Sequence, residues 1–389
     1  MKVHDVIVIG AGPAGLASAE ALACRGHDTL VLEEHAAVGY PVHCTGVIGH
    51  DAFDELNLPR ETILGFCRSA TFLAPDGPEV LVETDHIVAA VVDRGRFDDL
   101  LAARARAAGA TLLTGSRVTR VEVRPDGVEV RMRGEEHPRR GRACILACGA
   151  RYRFNHELGL GVPTRFVQSA QVEVPFVEIP HIEVHLGREV APSGFAWAVP
   201  FKRDGRPFAR LGLMCERDSR RRFHLFVESL GRRLGLGALR VPGPRLRFLP
   251  LGPVQKTYAP RVLAVGDAAG LVKPTTGGGI YYGLLSGQLA AATLSVALDR
   301  DELGEGSLRR YDTLWRERLG PDIRAGLAFR AVAARLSDRG IRALVELARV
   351  DGIIPLLKQN ADFNWHRTAA LAMLRHPSFR RIVLGSILG

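Results

Sequence analysis

Residues Val6 to Gly15 read Val-Ile-Val-Ile-Gly-Ala-Gly-Pro-Ala-Gly, and this stretch decides the fold. Four apolar, β-branched residues predict a buried strand, the glycines a tight turn, and the Ala/Leu-rich run after Pro13 a helix. Gly10 permits the turn, Gly12 lets backbone reach a pyrophosphate at the helix N-terminus, and Gly15 allows the helix to lie close on the strand. A second apolar strand, Thr29 to Leu32, ends at Glu33. A carboxylate there can accept both hydroxyls of an adenosine ribose and would repel a 2′-phosphate, so the unit suits FAD or NAD rather than NADP.

A second stretch, Gly266 to Ile280 (GDAAGLVKPTTGGGI), follows the short apolar run Arg261 to Val265. Asp267 then falls at the carboxyl end of a strand, where ligands gather in open α/β sheets. Gly277, Gly278 and Gly279 remove every Cβ from the next turn and free N–H groups to face a flat ring. Asp267 can hold a ribityl hydroxyl, so the stretch reads as a flavin turn. The charge-free continuation to Leu298 is long enough to span a bilayer. Pro274, Gly283, Ser286, Gly287 and Gln288 interrupt it, and a buried helix whose N-terminus faces the cofactor is the better reading.

The 389 residues suffice for a large domain and a smaller one, and 47% hydrophobic content is ordinary for a soluble globular chain. Residues 1–5 run straight into the first strand with no cleavable apolar segment, so a cytoplasmic protein is expected. Six scattered cysteines form no CxxC pair, and neither a zinc site nor an iron–sulfur module has its spacing, so no metal is expected. The net charge of +10 comes almost wholly from arginine. It implies attraction to an anionic partner, either a pyrophosphate-bearing substrate or the inner face of a membrane, with most arginines on solvated faces. Nucleic acid is not expected, because the basic residues are dispersed and aromatics make up only 6%. The tail from Arg367 to Gly389, with Arg375, Arg380 and Arg381 and no acid, reads equally as an amphipathic interfacial segment or as a terminal helix packed on the body.

Between the two glycine motifs, residues 36–90 read as loops and short strands. Asp93-Arg94 opens a helix, and strands follow at Arg117 to Val123, Val128 to Arg133 and Ala143 to Cys148. Phe166 to Val174, Ile182 to Leu186, Phe195 to Val199 and Ala209 to Cys215 alternate as strands of an antiparallel sheet, and the chain after residue 300 is helical. The expected fold class is α/β. A Rossmann-like FAD-binding domain (1–162 and 261–300) carries an inserted antiparallel β-sheet substrate domain (163–260) and a helical C-terminal region (301–389).

With Gly10 to Gly15, Glu33, the Asp93-Arg94-x-x-Phe97-Asp98 helix start and GDAAG followed by TTGGGI, the chain resembles the FAD-dependent family of aromatic hydroxylases, flavin halogenases and isoprenoid reductases. Gly39-Tyr40-Pro41-Val42-His43-Cys44-Thr45-Gly46 and Pro192-Ser193-Gly194-Phe195-Ala196-Trp197-Ala198-Val199-Pro200 are similar to two elements of the geranylgeranyl reductases, with Val199 in place of a final Phe. The resemblance spans roughly residues 1–300 and covers the tail weakly.

This resemblance implies roles. Gly10, Gly12, Ala14, Gly15 and Glu33 would hold the ADP half of FAD, Arg94 its phosphates or ribityl chain, and Val118 the adenine through backbone. Gly266 and Asp267 would hold the ribityl chain, and Gly278, Gly279 and Ile280 the ring end. Cys44 and Thr45 would lie beside the isoalloxazine. Phe195, Trp197 and Pro200 would wall an apolar substrate cavity. The implied activity is saturation of double bonds in a polyprenyl chain carried on a pyrophosphate, a lipid or a quinone, with a ferredoxin-like protein or NAD(P)H as external electron donor.

An isolated alkene has no carbonyl to take up charge, so hydride and proton must arrive together in a dry, closed cavity. Cys44, Tyr281 or Tyr282, or a bound water, could give the proton; a cysteine thiol is protonated at neutral pH but is a weak donor. Two alternatives stay open: a flavin monooxygenase or halogenase, and a flavin protein that passes electrons or binds lipid without turnover. Ala147-Cys148-Gly149-Ala150-Arg151 replaces the Asp-Gly pair of the hydroxylases, and Phe195 replaces the first Trp of the halogenase element.

Overall fold

The computed structural model describes residues 2–175, 177–237, 239–350 and 362–388, and the chain divides into two compact units. The first comprises Met1–Val42, Arg94–Arg165 and Pro250–Ile323; the second comprises His43–Asp93, Phe166–Leu249 and Arg324–Gly389.

In the first unit, strand Val3–Ile9 pairs in parallel with Thr29–Leu32 on one side and Arg139–Leu146 on the other. Thr111–Leu113 and Val262–Ala264 extend the sheet in parallel beyond these two. Val6, Ile7 and Val8 are fully buried, which is why the strand is a continuous apolar run rather than an alternating one. Helix Pro13–Ala23 lies against the long helix Ile280–Asp299, where a Cβ at Gly287 would sit 2.4 Å from the Ala14 carbonyl oxygen. The glycines that interrupt the long apolar run therefore set the close approach of the two helices. Burial of most of the run makes it a core helix of this unit.

The second unit is built on a seven-stranded sheet in the order Arg245–Pro250, Phe166–Pro175, Arg206–Cys215, Phe195–Arg203, Ile182–His185, Ser69–Leu73, Glu79–Glu83. Neighbours from Phe166–Pro175 to Ile182–His185 are antiparallel, and Ile182–His185 pairs in parallel with Ser69–Leu73. One face packs helix Ser219–Arg233 through Ala170, Val174, Leu211, Leu213, Phe223 and Phe226. Alternation sends the intervening residues to the other face.

The division differs from the expected one at two places. Residues 43–93, expected within the cofactor domain with 36–90 as loops and short strands, belong to the second unit because Ser69–Leu73 and Glu79–Glu83 complete its sheet. Residues 301–389 are not one region: helix Glu305–Arg318 packs in the first unit, while everything from Arg324 belongs to the second. The tail forms helices Arg367–Arg375 and Pro377–Leu388, and the ring of Phe379, 2% exposed, stacks on Phe329. At that residue the tail is a packed terminal helix.

Candidate active site

The glycine turn of the first unit is locked where it packs and open where a ligand would approach. Gly10 has φ of +105°, and a Cβ there would lie 2.4 Å from the Ala147 carbonyl oxygen. A Cβ at Gly15 would lie 2.1 Å from the oxygen of Gly10, whereas one at Gly12 would meet nothing within 4 Å. The open position is the helix N-cap, where backbone N–H groups favour an anion. Beside it, Glu33 is 8% exposed and its Oε2 accepts the Ala11 N–H at 2.9 Å. Its Oε1 accepts the His35 N–H at 2.9 Å. Ser116 donates its N–H to the Glu33 carbonyl at 2.7 Å, which draws in the turn leading to Val118, the first residue of strand Val118–Arg124.

Asp267 sits in a 3₁₀ turn, Gly266–Ala269, that two side chains clamp from a distance in sequence. Tyr152 Oη donates to the Asp267 carbonyl at 2.6 Å, and buried Asn155 Nδ2 donates to the Ala268 carbonyl at 2.8 Å. Gly266 donates its N–H to Ser286 Oγ at 3.0 Å, tying the turn to the long helix. The Asp267 carboxyl lies directly over Gly279, whose Cβ would be 2.6 Å from Oδ1. The TTGGG segment is closed by Gly277 N–H to the Lys273 carbonyl at 2.8 Å and Lys273 N–H to the Gly278 carbonyl at 3.0 Å. Arg94, 9% exposed, donates from Nη2 to both carboxylate oxygens of Asp98 at 2.8 Å.

Desolvation pushes the Asp267 carboxyl up to about 6, with Arg94 acting in the opposite direction. Burial likewise raises Asp98, Arg94 opposing it and Glu33 adding to it. Glu33, Arg94, Asp98 and Asp267 thus share one electrostatic neighbourhood. Gly10, Gly12, Ala14, Gly15, Glu33, Arg94, Val118, Gly266, Asp267, Gly278, Gly279 and Ile280 all belong to this one unit. An open turn for a pyrophosphate, a buried acceptor for a ribose, a second acceptor for a ribityl hydroxyl and a side-chain-free turn for a flat ring fit FAD. Tyr281 and Tyr282, at 2% and 1% exposure, are core side chains at the start of the long helix.

The second unit gathers the other predicted residues on one sheet face. Cross-strand register places Gln171 opposite Gly212 and Gly212 opposite Trp197; in the next row Glu173 faces Arg210, which faces Val199. The indole lies over Gly212, where a Cβ would come 2.5 Å from the ring, so the glycine makes room for it. Phe195 packs beside Trp197, ring centroids 5.7 Å apart, and Trp197 leans on Val91, Val199 and Phe201. Pro200 falls on the opposite face, paired with Ala209 of the helix-covered core, so the strand separates it from Trp197.

The Cys44–Thr45 segment is pinned to this face. Thr45 Oγ1 donates to Gln171 Oε1 at 2.5 Å, and the Thr45 carbonyl accepts from Arg210 Nη1 at 2.6 Å. Gln171 and Trp197 are two strands apart in one row, about 10 Å at ordinary strand spacing. Cys44 Sγ accepts the Gly46 N–H at 3.3 Å. Arg210 is 1% exposed and also donates to the Val92 carbonyl at 2.9 Å and to Glu173 Oε2 at 3.1 Å, with its guanidinium 4.7 Å from the Phe201 ring centre. Burial lowers its pKa and Glu173 opposes that. Elsewhere, burial pushes the Cys67 and Cys148 thiols up to about 12 and about 11 and raises Cys144 further, so these three are inert as thiolates.

Sequence reasoning missed Tyr152, Asn155, Gln171, Glu173 and Arg210. Each acts on a carbonyl or side chain far away in the chain, and no local motif marks such a partner. A buried arginine inside an apolar strand, Arg210 within Ala209 to Cys215, was the one available signal.

Residues 5–338 match the family model described as lycopene cyclase protein. A digeranylgeranylglycerophospholipid reductase of Methanocaldococcus jannaschii is 31% identical over 90% of this chain and 92% of its own. A second protein of that name, from Methanopyrus kandleri, is 32% identical over 91% and 92%. Among solved structures, a geranylgeranyl bacteriochlorophyll reductase-like protein of Thermoplasma acidophilum superimposes over the whole of both chains with a TM-score of 0.84 at 22% identity. A halogenase solved in complex with FAD covers all of this chain and 91% of its own, with a TM-score of 0.69 at 15% identity, a likeness of fold alone.

Proposed function

Because the chain belongs to the geranylgeranyl reductase family of FAD-dependent flavoproteins, we propose that it saturates the C=C bonds of geranylgeranyl chains carried on a glycerophospholipid. The observation that carries this reading is identity of about a third with digeranylgeranylglycerophospholipid reductases over nine-tenths of the chain. The flavin, when bound, supplies the hydride.

The chain's own residues do the rest. Gly12 and the helix N-terminus take the pyrophosphate, Glu33 the adenosine ribose, and Asp267 a ribityl hydroxyl. Phe195 and Trp197, partly exposed and with Trp197 backed by buried Val199 and Phe201, offer an aromatic wall on which a prenyl chain lies without water, so that hydride and proton are not lost to solvent. Cys44 is the proton donor of this reading, and the Gly46 N–H on its sulfur stabilises the charge left when the proton departs. The external electron donor is a ferredoxin-like protein or NAD(P)H at a transient site, since the one dinucleotide cradle among the described residues is given to FAD. A lipid substrate also calls for contact with a membrane surface.

Anaerobically reduced protein incubated with digeranylgeranylglycerophospholipid should show, by mass spectrometry, stepwise gains of two hydrogens. Cys44→Ala should lose turnover yet stay yellow and FAD-loaded. No gain with any prenyl substrate, together with an oxygen-dependent product from an aromatic, would establish the monooxygenase alternative instead.

A further inference from the structure

Seven of the ten net positive charges of this chain fall within 32 residues. Residues 217–248 hold nine arginines against two acids, Asp218 and Glu228. We propose that this segment, helix Ser219–Arg233 together with the edge strand Arg245–Pro250, is the surface by which the chain docks on a lipid bilayer containing anionic headgroups.

The helix presents a single exposed stripe. Phe223, Phe226, Val227 and Leu230 are buried against the sheet, which leaves Arg220, Arg221, His224, Leu225, Glu228 and Arg232 facing outward at helical spacing. Arg217, Arg220, Arg221 and Arg240 have no carboxylate partner among the described residues. Leu225 is 50% exposed in the middle of this stripe, and Leu236 is 49% exposed in the turn that follows.

The strand adds to the same side. It forms the end of the seven-stranded sheet next to Phe166–Pro175, and the helix covers the neighbouring face through Ala170 and Val174. Arg247 donates to His43 Nε2, beside the Cys44–Thr45 segment on the opposite face. Alternation therefore turns Leu246 and Phe248 toward the helix side, where Phe248 is 61% exposed.

Unpaired arginines interspersed with exposed Leu and Phe suit a fluid anionic surface. Headgroups neutralise the guanidinium groups, and acyl chains accept Leu and Phe without a complementary cavity. An acidic electron-transfer protein would satisfy the arginines but would leave these four apolar side chains unexplained. The choice of lipid over protein rests on the lipid-substrate reading above, although the docking measurement itself needs no turnover.

The oxidised, FAD-loaded full chain is sedimented with phosphatidylcholine vesicles with and without phosphatidylglycerol. Binding should require phosphatidylglycerol and weaken as salt screens the arginines. Arg220→Glu with Arg221→Glu should bind at least about tenfold more weakly, and Leu225→Ser with Phe248→Ser should also weaken binding. The same charge change on another exposed helix, Arg309→Glu with Arg310→Glu, should stay within about twofold of wild type. Retained FAD content shows that each variant is folded.

The proposal is overturned if phosphatidylglycerol makes no difference, or if the Arg309/Arg310 pair loses as much as the Arg220/Arg221 pair. It is equally overturned if the latter loses reduction by an acidic redox protein while vesicle binding persists. Vesicle binding without turnover would sink only the reductase reading; turnover of detergent-dispersed lipid without vesicle binding would sink only the docking.

Discussion

The cofactor cradle and the substrate wall are built by opposite means. In the first unit, backbone shape does most of the work: Gly10, Gly12 and Gly15 define a turn, and Gly279 lets a carboxyl lie on the chain. In the second, one buried side chain gathers three distant strands and loops, because Arg210 reaches the carbonyls of Thr45 and Val92 and the carboxylate of Glu173. A cradle of the first kind fails when volume is added. A wall of the second kind fails when a charge or hydrogen bond is removed.

The largest effect expected of that contrast is therefore at Arg210. Arg210→Met leaves the Thr45 and Val92 carbonyls without their donor and Glu173 without its buried cation, and breaking a buried pair in this way costs roughly 3–5 kcal/mol; partial exposure of Glu173 and its other, nearer partner Arg203 favour the low end. Thermal unfolding should fall by several degrees. Arg210→Lys keeps the charge but cannot reach all three acceptors, so it should recover only part of the loss. Stability equal to wild type in the methionine variant would mean that the wall is held by the sheet alone.

Next in size is the converse change. Gly15→Ala inserts a Cβ 2.1 Å from the Gly10 oxygen, and overpacking costs roughly 1–3 kcal/mol. The strain falls on the turn that takes the pyrophosphate, so FAD affinity should drop by about tenfold to a hundredfold, read by flavin fluorescence on titration. Gly12→Ala, with open space around its Cβ, should fold normally and lose affinity only through obstruction of the ligand.

These two kinds of construction also explain what the chain disclosed before it was folded. Gly10, Gly12, Gly15, Glu33 and Asp267 were legible because a turn that admits no Cβ leaves a local signature, and strand periodicity located the sheets. Trp197 and Cys44 were legible only through resemblance. Gln171 and Arg210 were not, because what makes them matter is register: the sequence separation from Thr45 to Gln171 or Arg210 carries no trace of their meeting. Residues 43–93 were misassigned for the same reason, since the parallel pairing of Ser69–Leu73 with Ile182–His185 joins strands more than a hundred residues apart.

A smaller effect tests whether Asp267 works as a charge. With its carboxyl raised to about 6 in the folded chain and ordinary in the unfolded one, the proton is bound more tightly by the folded state. The stability this contributes is complete below the unfolded value and is lost as pH rises through about 6. FAD binding should run the other way, because a ribityl hydroxyl donating to the carboxylate favours the ionised form. Affinity should rise between about pH 5 and 7, and Asp267→Asn should flatten that rise and make the FAD-free protein less sensitive to pH. A wild-type affinity independent of pH would show that the hydroxyl is held by backbone instead.

The smallest effect isolates a single bond of the wall. Thr45→Val removes the hydroxyl that donates to Gln171 but leaves the carbonyl that Arg210 holds, so it should cost only about 0.5–1.5 kcal/mol, the usual worth of one hydrogen bond. Gln171→Leu should cost a similar amount, and the double variant should cost little more than either alone. That shortfall, a coupling of about 1 kcal/mol in a double-mutant cycle, is the mark of two side chains whose contribution is their contact. Thr45→Ser should restore it, since the hydroxyl returns. Simple additivity in the cycle would leave Arg210 as the sole tie between the Cys44–Thr45 segment and the sheet. The arginine variants would then carry the whole burden of showing that the wall is built by side chains.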